Sequence, residues 1–370
     1  MTQRFRVGES ETVGRMPPLT PQWAARSSGD GEVTALEFDH RRRASLDGVW
    51  EFFPGDHELA GLEGLVPQPI GVPGLWEAQG HVDLDGTAWY RRRFELEEVS
   101  GGWTLRFGAV MDLTEVYLNG VRVGGHVQPF TPLELDLAGV VVAGENELAV
   151  RVVDPSLDDA DHARMAHGKQ GWANHVFPSR PSLYLTYGGI WQPVTLRRHG
   201  QVVVSEVFVS SDPDDLVVSA QLENRGVAVV ARVSVSTLGT AREEEVALAA
   251  GEGATVRVEL GATRAARWSP GSPVLHGLAV DVWTGHELSD FRQLRYGLRT
   301  VRLEDGRIRV NGEPYRMKSV LVQGFTADGL YAEGDEAQMR AEVEAARAMG
   351  FNTLRLHIKA FDPRYLDICD

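Results

Sequence analysis

The stretch that decides the fold is DEAQMRAEVEAARAMGFNTLRLHIK, residues 335–359. Asp335 is placed to cap a helix, with Gln338 three residues on in capping-box position. Met339, Val343, Ala346 and Met349 give that helix one apolar stripe, and Gly350 ends it. Residues 351–358 then read as a strand, and Asp362-Pro363 opens a second helix. Upstream, Asn311-Gly312 makes a hairpin that leads into a buried strand over Tyr315 to Leu321. Strand, helix, strand, helix implies a parallel sheet. The expectation is that residues 298–370 hold the first two β/α units of a (β/α)₈ (TIM) barrel. Such a barrel closes only with eight strands, so the chain reads as the front of a longer protein.

What precedes that unit is β structure of another kind. From Ser45 to Leu196, short alternating runs are separated by turn signals, as in Trp89 to Leu96 and Glu147 to Val152. Asn119-Gly120, between two such runs, is a two-residue hairpin signal. About ten strands of this kind suit a jelly-roll sandwich. Roughly seven more between Val202 and Tyr296 fit an immunoglobulin-like sandwich. The expected organisation is an N-terminal arm over 1–44, a jelly roll over 45–199, an immunoglobulin-like domain over 200–297 and the barrel start over 298–370. The overall class is mainly β.

Composition narrows the function. A net charge of −15 argues against nucleic acid and anionic membranes as partners. Residues 1–14 are polar and unlike a secretory signal, and no apolar run approaches membrane-spanning length. The single cysteine, Cys369, excludes internal disulfides and reads as a helix core residue. A cytoplasmic location is expected. Only Lys169, Lys318 and Lys359 are lysines, against 34 arginines (37 basic residues less three). Where arginine is the default cation, a retained lysine points to a need for a compact ammonium.

Candidate chemistry gathers near the C-terminus. Alternation puts Leu354, Leu356 and Ile358 on one strand face and Arg355, His357 and Lys359 on the other. In a barrel the second set points inward at the catalytic end and needs acidic partners. Asp362 and Asp328 are the acids on hand. No carboxylate pair suitable for glycoside hydrolysis can be nominated, and the scattered histidines lack metal-ligand spacing. No cofactor motif is present. Trp50, Trp76, Trp89 and Trp103 are expected in the sandwich core. Trp172, within the long segment from Asp154 to Gly189, is a candidate for stacking on a sugar.

Several motifs together resemble a known family. Ser45-Leu-Asp-Gly-Val-Trp-Glu-Phe, Val72-Pro-Gly-Leu-Trp, Ala88-Trp-Tyr-Arg-Arg-Arg-Phe and Val116-Tyr-Leu-Asn-Gly occur in the order seen in the sugar-binding domain of family 2 glycoside hydrolases. Gly168-Lys-Gln and Gly189-Ile-Trp-Gln-Pro-Val resemble its closing segment. Tyr296-Gly-Leu-Arg, Val310-Asn-Gly-Glu-Pro and Gly350-Phe-Asn-Thr-Leu-Arg-Leu-His resemble the passage into the barrel. The resemblance implies a retaining β-glycosidase of carbohydrate metabolism. It implies that both catalytic glutamates, acid/base and nucleophile, lie on later barrel strands beyond Asp370, so that no residue of this chain is a catalytic candidate. It implies that Arg355 lies on the barrel floor beside the nucleophile. It also implies that a loop near Asp83 to Thr87, with Asp85 foremost, reaches the sugar. Galactosidase-type members carry Asn-Arg-His-Glu after the first barrel strand, where this chain has Leu321-Val-Gln-Gly-Phe, so the sugar stays open. Gln323 and Phe325 are then expected to line the pocket. The chain alone is expected to be inactive, to bind carbohydrate and, by analogy, to form homo-oligomers. The rival reading is a non-catalytic carbohydrate-binding or scaffold protein whose sandwiches are the working part.

Overall fold

The computed structural model describes residues 33–39, 42–82, 84–154, 187–332 and 334–370. Its first sandwich packs two antiparallel sheets face to face. The larger runs, edge to edge, Gln68–Val72, Gly48–Pro54, Gly86–Leu96, Gly144–Asp154, Leu113–Leu118 and Val121–His126, with Thr34–Ala35 added in parallel beside Phe94. The smaller runs Leu133–Asp136, Gly102–Phe107, Val194–His199 and Arg43–Ser45. Alternation along the strands sends Leu148, Val150 and Val152 inward to meet Trp50, Phe52, Tyr90, Phe94 and Phe107. Trp50, Trp76 and Trp103 are buried in this core as expected, whereas Trp89 is buried outside it, in a separate cluster with Phe53, Leu62 and Ala149, because strand alternation turns it away from Ala88 and Tyr90. The Asn119-Gly120 signal becomes the tip between Leu113–Leu118 and Val121–His126, both residues having positive φ (51° and 78°) as the mirror-image hairpin turn demands.

The second sandwich has three strands against four. Val202–Asp212, Asp215–Asn224 and Gly253–Gly261 form one sheet; Thr240–Leu248, Val229–Thr237, His276–Thr284 and Glu287–Tyr296 form the other. Its core is valine-rich, with Val204, Val218, Val233, Val235, Val280 and Val282 interdigitating. β-Branched side chains fill a pleated surface well, which is why so uniform a core suffices here. The two sandwiches share a buried polar seam. Asp290 accepts from Arg197 Nη1 (2.5 Å) and from the Val204 amide (2.8 Å), while the Gly200 amide donates to Ser289 O (2.6 Å).

After Leu298 the chain changes character. A small antiparallel sheet, Val301–Glu304, Arg307–Val310 and Glu313–Pro314, precedes Ser319–Val322, which pairs in parallel with Thr353–Leu356. Helix α1 (Glu336–Ala348) connects the parallel strands, and α2 (Pro363–Cys369) follows them. The Asp335–Gln338 capping box is present in both directions. Val322, Met339, Phe361 and Tyr365 form a small core, with Val343, Leu354 and Leu356 against it.

Four expectations need correction here. The strand thought to be buried is largely open, with Ser319 and Leu321 exposed, because one of its faces has no cover among the described residues. Met349 is 69% exposed, since α1 ends at Ala348 and the chain turns away at the positive φ of Gly350. Cys369 is exposed, because the buried side of α2 is built on Tyr365. The strand of residues 351–358 is only Thr353–Leu356. Its ladder continues through the His357 amide to Val322 O, and then Ile358 takes a left-handed φ of 45° and is 60% exposed.

Candidate active-site face

The early end of the second parallel strand fixes the site. Because the chain leaves the strand at His357, alternation no longer governs Lys359. Leu354 and Leu356 do face the helices as expected. Arg355, opposite them, is exposed, and its guanidinium makes no ion pair among the described residues. His357 is half-buried, and its Nδ1 is enclosed without a hydrogen-bond partner among them. The acids offered to this row serve elsewhere. Asp362 caps α2 and grips the Arg364 guanidinium (2.6 Å), and Asp328 accepts from Gln338 Nε2 (3.2 Å). Asp370 closes α2 and stands apart from the row: its amide donates to Leu366 O (3.0 Å), and its carbonyl accepts from Trp268 Nε1 (3.2 Å). The last helix is thereby tied back to the end of the second sandwich.

Lys359 turns inward. Its ammonium donates to the carbonyls of Gly324 and Tyr331 and lies over the rings of Tyr331 (4.5 Å) and Phe361 (5.2 Å). Gly324 has to be glycine: its φ is +74°, and a Cβ there would stand 2.7 Å from Phe361 Cζ. Gln323, immediately before it, is exposed at the C-terminal end of its strand. So the structure brings Gln323 and Lys359 to one loop, residues 323–332, and leaves Arg355 on the open face of the adjacent strand.

That loop reaches the first sandwich. Tyr331, near the loop's far end, is fully buried, stacked on Phe130 at 5.9 Å and packed against Tyr187 and Trp191 at 5.7 and 5.6 Å. Leu75, Ala109 and Met111 complete the cluster from the sandwich side, and Phe325 joins it from the loop. Phe325 is therefore half-buried in an interdomain core, where pocket lining was expected. Within the loop, Thr326 Oγ1 donates to Ala332 O (3.0 Å) and accepts from the Gly329 amide (2.8 Å).

Asp85 belongs to another neighbourhood. It is exposed just before Gly86–Leu96, close enough to Glu77 for its charge to act there. Glu77 is buried, with Oε1 accepting from the Gly188 amide at 2.9 Å, and burial, aided by Asp85, pushes its carboxyl up to about 8. Asp112 is 1% exposed, and burial alone pushes it up to about 8 as well. Neither acid carried a sequence signal: each sits in an ordinary polar position, and only the fold encloses it. Trp172 lies outside the described residues. Among the described residues no group of three or more His, Cys, Asp or Glu could hold a metal ion, and no helix is long and apolar enough to cross a membrane.

Comparison with known proteins agrees with this architecture. Residues 44–196 match the family described as "Glycosyl hydrolases family 2, sugar binding domain". Among curated relatives, a putative beta-glucuronidase of Formosa agariphila is 23% identical over 90% of this chain and 40% of its own length. An exo-beta-D-glucosaminidase of Amycolatopsis orientalis is 28% identical over 76% of this chain and 28% of its own. The chain thus spans less than half the length of these relatives. Among solved structures, a family 2 beta-galacturonidase from Eisenbergiella tayi superposes with a TM-score of 0.74 over 89% of this chain and 55% of that one, at 24% identity. A Bacteroides uniformis beta-glucuronidase does so at 0.73 and 19% identity, over 89% of this chain and 41% of that one. At such identities these likenesses speak to the fold. The family match speaks for residues 44–196, which carry the sugar binding domain of glycosyl hydrolase family 2, and beyond them the likeness is one of fold.

Proposed function

We propose that the chain is the N-terminal part of a retaining β-glycosidase that hydrolyses O-glycosidic bonds in cytoplasmic carbohydrate metabolism. The observation that carries this reading is the parallel β/α unit docked on the sugar binding domain, with the C-terminal ends of its strands next to that domain. In barrel enzymes the strand C-termini carry the chemistry. Arg355 and Gln323 stand exposed on or beside these two strands, ready to take part in a site completed by further strands. On this reading two glutamates on strands beyond Asp370 act as acid/base and nucleophile, and Arg355 gains its acidic neighbour from them. Asp85 reaches the sugar from the sandwich rim. That the relatives are glycosidases supports the reaction class; they differ in sugar, and the sugar is left open.

The test is a panel of chromogenic β-glycosides (glucuronide, galacturonide, galactoside, glucosaminide, mannoside). It is run on the 370-residue chain and on a version extended through the downstream reading frame. The short chain should give no turnover and the extended one should hydrolyse at least one substrate with retention at the anomeric carbon. Turnover by the short chain, or none by an extended and folded one, would overturn the reading.

A further inference from the structure

Lys359 is one of three lysines in an arginine-rich chain, and strand alternation aimed it at substrate, yet the fold encloses it. Its surroundings are those of a cation-binding cage. Two backbone carbonyls, of Gly324 and Tyr331, accept from the ammonium, and two aromatic faces close over it. An ammonium carries three donors on one atom, so a single Nζ can reach both carbonyls while its charge lies against the rings. The two carbonyls belong to the two ends of loop 323–332, seven residues apart, so one ammonium pins both. The same Tyr331 that is pinned supplies the ring at the centre of the interdomain cluster.

We propose that Lys359 is a positioning residue: its ammonium latches loop 323–332 shut and so holds Tyr331 in the socket formed by Phe130, Tyr187 and Trp191. The latch fixes the angle at which the β/α unit meets the sugar binding domain. If the whole protein is a glycosidase, the latch thereby sets where Gln323 and Arg355 stand relative to a sugar, and Lys359 itself touches none. The latch does not depend on that function, and its test involves no hydrolysis.

Two measurements on the 370-residue chain decide it. The first uses the wild-type protein and an amine-acylating reagent, with mass-spectrometric mapping of each lysine. Lys318 is exposed and serves as the internal standard. With its ammonium donating to two carbonyls and lying over two rings, Lys359 is shielded from the reagent and should be acylated at least about tenfold more slowly than Lys318. Equal rates would overturn the proposal.

The second follows amide hydrogen exchange in Lys359→Met and Lys359→Ala. Residues 324–332 should exchange at least about tenfold faster than in wild type, while Gly86–Leu96 and Gly144–Asp154 keep their protection. In Lys359→Ala the missing atoms correspond to propylammonium, and adding that cation should restore protection where 1-propanol does not. Unchanged exchange in both variants, or equal rescue by the alcohol, would reduce Lys359 to a space-filling side chain and overturn the latch. Should neither variant fold, the acylation experiment still decides.

Discussion

Asp112 is the residue whose environment and chemistry disagree most. A carboxyl held in a nearly dry site by the sandwich interior keeps its proton to about pH 8, whereas in the unfolded chain it releases it near its ordinary value of 3.8. Between those limits the folded state binds the extra proton, so stability contributed at this position declines as pH rises from about 4 to about 8. Asp112→Asn removes the titration. Its stability relative to wild type should therefore climb by on the order of 2–4 kcal/mol between pH 5 and pH 8, read from urea midpoints at each pH. Parallel curves for the two proteins would show that the site is wetter than its burial suggests. Nothing in the sequence marked this aspartate, because enclosure is made by distant strands: the Asp112 amide donates to Val153 O (3.3 Å), 41 positions along the chain.

At the scale of elements, legibility follows how local the cause is. The α1 capping box could be read because its two hydrogen bonds lie within four residues. Asp335→Ala should cost about 1 kcal/mol of stability, and its effect should appear as faster amide exchange confined to Glu336–Ala348. A loss spread evenly over the whole chain would contradict a cap that acts locally. The hairpin at Asn119-Gly120 was readable for the same reason. By contrast, alternation along residues 351–358 extended the strand too far. A two-residue period describes side chains only while the backbone stays extended, and Ile358 leaves that region. The consequence was large at one residue, because Lys359 ended under a neighbouring loop and not in a row with Arg355. Burial of Tyr331 was equally hidden, for its partners Phe130, Tyr187 and Trp191 come from separate sandwich segments.

For the whole molecule the question is what makes two sandwiches and a β/α unit behave as one body. The seam between the sandwiches is polar and enclosed: Asp290 holds Arg197, Arg292 and the Val204 amide, and Arg42 Nη1 reaches Leu288 O at 3.2 Å. Beside it lies His199. Gly200 O can only accept, so Nδ1 carries the proton (2.7 Å), and Nε2 accepts from the Thr104 hydroxyl (2.9 Å). Burial, with Arg197 and Arg225 nearby, holds this imidazole below its ordinary range even though Asp290 and the Gly200 bond pull the other way. The unfolded chain then takes up a proton near pH 6.5 that the folded seam refuses until lower pH, so stability drains as pH falls below about 6.5. An enclosed ion pair adds little net stability over an apolar seam, but removing one partner strands the other charge at a cost of roughly 3–5 kcal/mol. Asp290→Ala leaves Arg197 and the Val204 amide without this acceptor. Scanning calorimetry should therefore turn a single unfolding transition of the 370-residue chain into two, with the second sandwich, poorest in aromatic residues, melting first. Retention of a single transition in Asp290→Ala would mean that the Tyr331 cluster, and not the seam, carries the cooperativity between domains.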